Sequence, residues 1–294
     1  MASARNKSCL FCGNALQPKG SAHSGKTDEH VFPNWLQEHL GVKGNVVTPM
    51  RVRSDNRRII DMRQHVMSAF VAGSVCSDCN HGWMSALENE VKPILTRLLD
   101  HPIHLETLPD LERFTLARWT LKTAAVLNRC STYGSSNDEI GRPVPDQHMR
   151  TLASGKLPND VLVVGAGYQS AKTVDFLQYA IWTNPANSIP LRHEDRDLSY
   201  KIALSFRGLV LIVAYYPSAN YAYGINSHHY IPLWTGSRRV IPIDHLMDES
   251  PTKSSSPQLE LLLRNVSVVS HKWLALVENV AFTRLVQPVE GGQR

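Results

Sequence analysis

Four of the chain's five cysteines fall in two Cys-x-x-Cys pairs, Cys9 with Cys12 and Cys76 with Cys79, and the fifth, Cys130, stands alone in an apolar stretch. A thiol pair at this spacing can serve redox exchange, a disulfide or a metal. Thioredoxin-type exchange needs one pair on a βαβ unit, and two pairs do not fit it. The N-terminus, MASARNKSCLFCG, has no apolar export segment, so a reducing cytoplasm is expected, where thiols stay free. Four thiolates suit a tetrahedral zinc ion. Cys130 reads as a buried apolar filler.

The two pairs lie much further apart than in a simple zinc ribbon, so a substantial insert separates two zinc knuckles. It begins with KTDEHVFPNWL, which sets Glu29 beside His30 after a polar, Gly-containing loop. Next comes NVVTPMRVRSDNRRIIDMRQHVMSAFVAGSVC, whose alternation and turn residues at Ser54 to Asn56 predict a β-hairpin. Arg51, Arg53, Arg57, Arg58 and Arg63 against Asp55 and Asp61 make it a basic ribbon. Such a ribbon suits nucleic-acid phosphates or, equally, a solvated hairpin face. After Asn80 the pattern turns helical. Ser85 and Glu88 fit a capping box, and Leu87, Val91, Ile94, Leu95 and Leu98 recur at helical spacing. Pro93 predicts a kink or a division into two helices.

A second helix is predicted over Leu111 to Cys130, apolar over most of its circumference and so buried. Its Arg118, Lys122 and Arg129 form a stripe read as solvated or partner-facing surface, with a phosphate contact as the alternative. Residues 131 to 160 read as a long loop. VLVVGAG, VDFLQYAIWT, SYKIALSF and LVLIVAYY are strand-like, the last two joined by a tight turn at Arg207-Gly208. PTKSSSP reads as a surface loop, with a short helix from Gln258. Trp35, Leu36 and Trp83 are expected in the core beneath the chemistry-bearing residues.

The order Cys9-x-x-Cys12, Glu29-His30, Cys76-x-x-Cys79-Asn80 resembles the HNH, or ββα-metal, endonuclease superfamily. It is most similar to the treble-clef branch, in which two zinc knuckles brace the fold, as in phage recombination endonucleases. There an acidic residue immediately precedes the catalytic histidine and an asparagine immediately follows the last zinc cysteine; both adjacencies occur here. EHVFPNWL and CNHGWMSALE also resemble bacterial proteins labelled HNH endonucleases. The resemblance covers roughly residues 7 to 100.

It implies an α+β chain: residues 1–100 form a zinc-braced ββα-metal module, and 101–294 a mixed helical and antiparallel-sheet region for target recognition, sensing or oligomerisation. Cys9, Cys12, Cys76 and Cys79 would hold structural zinc. Glu29 would supply a carboxylate oxygen and Asn80 an amide oxygen to one Mg²⁺ or Mn²⁺, with His81 as an alternative ligand. His30, next along an extended strand, is expected on the opposite side, where it can take a proton from the attacking water while a backbone carbonyl holds its other nitrogen. The family's middle asparagine, which braces the histidine loop, has candidates in Asn45 and Asn56. The implied activity is hydrolysis of DNA, RNA not being excluded, to 5′-phosphate and 3′-hydroxyl ends, and analogy suggests defence or mobile-element biology. The alternative is a treble-clef module that binds nucleic acid or a protein without cutting.

The remaining signals are weaker. Gly165-Ala166-Gly167 follows a strand, but Ser170 stands where a dinucleotide fingerprint needs its third glycine. His228-His229 and Arg192 to Asp197 read as surface loops. A net charge of +5 in 294 residues favours an anionic partner only mildly. The longest apolar run, Leu209 to Tyr216, is far too short to span a bilayer.

Overall fold

The computed structural model describes residues 8–52, 59–62, 64–101, 104–130, 144–167, 173–179, 200–217, 221–225, 230–242 and 280–284. They form a mixed α+β fold. Strand β1 (Lys26–His30) is followed by Pro33, the extended N-cap of the short helix α1 (Asn34–Leu40), and Gly41 closes that helix in the left-handed conformation at φ 69°. The insert contributes β2 (Val46–Val47), β3 (Met50–Val52), β4 (Ile59–Met62) and β5 (His65–Val66). Arg51 faces Asp61 in the β3–β4 register, so the expected hairpin is present. Arg53, Arg57, Arg58 and Arg63 lie outside the described residues.

Strand β6 (Val71–Cys76) returns antiparallel to β1 and pairs Lys26 with Cys76 and His30 with Val71. Between the Thr27–Val75 and Glu29–Ala72 pairs β6 uses one more residue than β1. This is a bulge of the kind that re-aims neighbouring side chains. A single turn, α2 (Ser77–Cys79), and a π-turn over Asn80–Met84 lead directly into α3 (Ser85–Asp100). The expected capping box at Ser85 and Glu88 is absent. The helix enters from Met84, already in helical dihedrals, so no orphan amide awaits the serine. Helix α3 also runs undivided through Pro93.

Helix α4 (Asp110–Cys130) matches the predicted apolar segment. It packs on α3, on β6 and on a five-stranded antiparallel sheet. The segment read as a loop also contains α5 (Asp146–Ala153), which buries His148, Met149 and Leu152. The sheet comprises β7 (Val161–Gly167), β8 (Val174–Tyr179), β9 (Tyr200–Phe206), β10 (Leu209–Tyr215) and, after β11 (Tyr221–Ile225), β12 (Ile231–Trp234), in the order β12-β7-β10-β9-β8. Strand β11 lies between β13 (Val240–Pro242) and β14 (Val280–Arg284) in a three-stranded sheet.

The continuous apolar runs of β7, β9 and β10 follow from burial on both faces. Leu209, Leu211 and Val213 join the core around α4, whereas Val210, Ile212 and Ala214 face a second core with Tyr216, Tyr223 and Tyr230. Arg207 and Gly208 turn the β9–β10 hairpin with φ 44° and 98°, as a two-residue turn between twisted strands requires. Gly165 is a packing glycine, since a Cβ there would meet Leu105 Cδ1 at 2.8 Å. The Ser-rich loop, the helix expected from Gln258, His228-His229 and Arg192 to Asp197 lie outside the described residues. Among the described residues no helix is long and apolar enough to cross a membrane.

Candidate functional site

The four paired cysteines meet. Their sulfurs lie within 4.8 Å of one another. A tetrahedron with zinc–sulfur arms of about 2.3 Å has edges of about 3.8 Å, and Cys12 Sγ lies 3.7 Å from Cys76 Sγ. The first knuckle closes through Cys9 N–H to Asn14 O at 2.7 Å, Gly13 N–H to Cys9 O at 3.0 Å and the positive φ of Gly13. Leu10 N–H, bonded to Ser74 O, fixes this knuckle to β6. In the second, the Cys79 amide donates to Cys76 Sγ at 3.4 Å. The Cys79 thiol and nearby backbone amides hold the Cys9 thiolate down to about 4. Burial pushes Cys76 up to about 11, and hydrogen bonding to Cys9 raises Cys79 further. The protein alone thus keeps these neighbouring thiols from ionising together, and a cation among them would remove that conflict. This group is able to hold zinc.

Asn80 begins where the second knuckle ends, at the root of the β1–β6 pair. Thr27 Oγ1 donates its only proton to Val75 O at 3.0 Å. It can therefore only accept from Asn80, whose Nδ2 donates to it at 3.1 Å. That contact sets the amide's orientation and leaves Oδ1 for a cation. Asp28, Glu29, His30, Asn80 and Glu88 border one cleft of about 210 Å³, with Trp35 at its rim. His81 is exposed and does not line it.

Glu29 is nearly buried while His30 is only half-buried, yet both border this cleft at the strand end rather than opposite faces of a sheet. No hydrogen bond to the His30 ring occurs among the described residues. The loop beyond it is held by Val31 N–H to Phe70 O at 3.0 Å and by buried Gln37, whose Nε2 donates to Phe32 O. Asn45 instead serves the turn into β2 through its main chain, and Asn56 lies outside the described residues.

Glu29 meets an unexpected partner. Lys122 of α4 has no exposed side-chain surface, and its Nζ donates to Glu29 Oε1 at 2.8 Å and to Glu88 Oε1 at 2.6 Å. The basic stripe expected on α4 is therefore not a solvated one. Lys122 is buried as a bridge, Arg118 lies over the Phe114 ring at 5.9 Å, and Arg129 pairs with Asp146 at 2.6 Å. The two carboxylates hold Lys122 in its charged form against the burial that opposes it.

No family model, curated protein or solved structure matches the chain. What the site can do therefore rests on its own geometry. A carboxylate, an amide oxygen and an imidazole share one cleft beside a four-sulfur group, and the donor set of Glu29 and Asn80 suits a hard divalent cation. Thr27, Gln37, Glu88 and Lys122 carry no spacing signal that links them to Glu29. Trp83 packs edge-on against Phe11 at 5.2 Å, and Leu36 is fully buried. Trp35 is half-buried: it packs against the core as expected, and it also lines the cleft, with Lys92 Nζ 5.9 Å from its ring centre. Cys130 donates to Val71 O at 3.2 Å, and burial lifts its pKa to about 12, so this thiol is inert filler.

Proposed function

We propose that the chain is a metal-dependent HNH-type endonuclease that hydrolyses DNA phosphodiester bonds. In this reading β1, β6 and the helical run from Ser77 are the ββα unit, and Cys9, Cys12, Cys76 and Cys79 hold structural zinc. The observation that carries it is the convergence of Glu29, His30 and Asn80 on one cleft, although Glu29 and Asn80 are about fifty residues apart in sequence.

Glu29 and Asn80 would hold Mg²⁺ or Mn²⁺, which when bound stabilises charge on the scissile phosphate and the leaving oxygen. His30, half-buried and with no hydrogen bond to its ring among the described residues, takes the proton of the attacking water. Asn80 is kept in its orientation by Thr27, and Glu29 Oε1 is engaged by Lys122. The positively charged chain and the Arg51-bearing hairpin favour a polyanionic substrate.

Purified chain is incubated with supercoiled plasmid in Mn²⁺. The parent should nick it, and His30→Ala should be slower by about 10²- to 10⁴-fold, the usual contribution of a general base. Equal nicking by parent and variant overturns the assignment. A parallel RNA substrate separates the two nucleic acids. The capture of Glu29 Oε1 by Lys122 favours a second reading, a zinc module that binds nucleic acid or a protein without cutting. It predicts retention of DNA in a shift assay with no cleavage under any divalent metal.

A further inference from the structure

We infer that Glu88 and Lys122 are positioning residues that set the charge of the proposed metal site: Glu88 offsets Lys122, and Glu29 thereby keeps a negative charge for the cation. The inference rests on the nuclease reading above and adds two residues from outside its motif.

Both carboxylates border the cleft, and both turn Oε1 to the same buried ammonium. Neither makes another hydrogen bond among the described residues. Glu29 with Lys122 alone would be a neutral pair. With the neutral amide of Asn80, and with Asp28, the third carboxylate on the cleft, already paired with Lys19 at 2.9 Å, it would offer a divalent ion no net charge, only a carboxylate already engaged by a competing cation. Glu88 changes that balance. Its side chain is about one-fifth exposed and lines the cleft, whereas that of Lys122 is fully buried and does not, and it brings the three groups to a net charge of −1. Lys122 then has a second anion to satisfy it, and Glu29 Oε2 has no hydrogen-bond donor among the described residues.

Charge balance predicts effects of opposite sign. Glu88→Gln keeps the shape but leaves Lys122 opposed only by Glu29, and should weaken Mn²⁺ binding by at least about tenfold. Lys122→Met removes the competing cation and should tighten it by a similar factor. The double variant loses one charge of each sign and should return close to the parent. It keeps the test decisive if Lys122→Met alone fails to fold.

Mn²⁺ binding is read by electron paramagnetic resonance of the free ion over the full-length, zinc-loaded chain, beside the Mn²⁺ concentration giving half-maximal plasmid nicking. A purely structural bridge would weaken binding in both single variants, and that result overturns the inference. A double variant as weak as Glu88→Gln also overturns it, because Glu88 would then act by direct contact with the metal. If the parent nicks and these shifts fail, the nuclease reading survives alone. A parent that neither binds Mn²⁺ nor nicks defeats both.

Discussion

Replacing Lys122 by Met should be among the most damaging single changes in the chain, and the reason is electrostatic rather than steric. Met fills nearly the same volume, but Glu29, only 6 % exposed, and the one-fifth exposed Glu88 are left facing each other without a counter-charge. Removing one member of a buried ion network typically costs about 3–5 kcal/mol. Partial exposure of Glu88 lets water screen part of that, so about 3 kcal/mol is expected, a large share of a typical folding free energy. The triple variant Glu29→Met, Glu88→Leu, Lys122→Met removes all three charges, and apolar replacement of a buried network is often neutral or better. It should unfold within about 1 kcal/mol of the parent, far from the sum of the three single losses. Urea unfolding at pH 7.5, followed by circular dichroism and tryptophan fluorescence on zinc-loaded protein, measures each term. A loss below about 1 kcal/mol in Lys122→Met, or simple additivity in the triple variant, would refute the buried bridge.

Two further outcomes follow from the same coordinates. Cys76, pushed up to about 11 by burial, and Cys79, raised by its bond to Cys9, are both protonated at neutral pH in the metal-free chain. Zinc must expel at least these two protons, so apparent zinc affinity should rise by about 100-fold or more per pH unit near neutrality. Competition with a chromophoric chelator, corrected for its own protonation, reads this slope, and a tenfold rise or less would exclude the four-thiolate site. Gly236, at φ 59°, would place an added Cβ 2.0 Å from Asn159 O, whereas Gly20, at φ 91°, has open space around it. Both Ala substitutions are strained, but Gly236→Ala should cost over about 2 kcal/mol more because backbone must also move; equal thermal shifts would contradict the close approach.

The cysteine spacing, the long apolar helix and the β9–β10 turn were legible in sequence because each is a local pattern that tertiary contacts reinforce. Arg207-Gly208 needs two positive φ angles and α4 needs an apolar circumference, and both demands are written in adjacent residues. The capping box failed because the chain before Ser85 is already helical, so a valid local signal had no orphan amide to satisfy. Helix α5 was hidden because its eight residues lie between Pro145 and Gly155, a span so short that the flanking turn residues outweighed its amphipathic pattern. Lys122 was misread for a more instructive reason. Lysine is usually solvated, and only the fold brings it to two carboxylates from other elements. Thr27 likewise looks like any strand threonine until Asn80 arrives beside it.

Two devices hold the cleft, and they act on different atoms. The sulfur group fixes main chain, tying the first knuckle to the end of β6 and so setting where Asn80 begins. The Lys122 bridge acts on side chains, engaging one carboxylate oxygen each of Glu29 and Glu88. The length of the insert matters little to the first device. Cys12 and Cys76 are 64 positions apart, about two doublings beyond a compact zinc ribbon, and each doubling costs only about 0.6 kcal/mol of closure entropy. A structural zinc site supplies about 10–16 kcal/mol in small modules, so the closing group tolerates the hairpin-bearing insert with a wide margin. The second device has no such margin, because its three charges must arrive together from β1, α3 and α4. The Glu29 side chain should therefore be the more easily disordered half of the cleft, even with the four sulfurs intact.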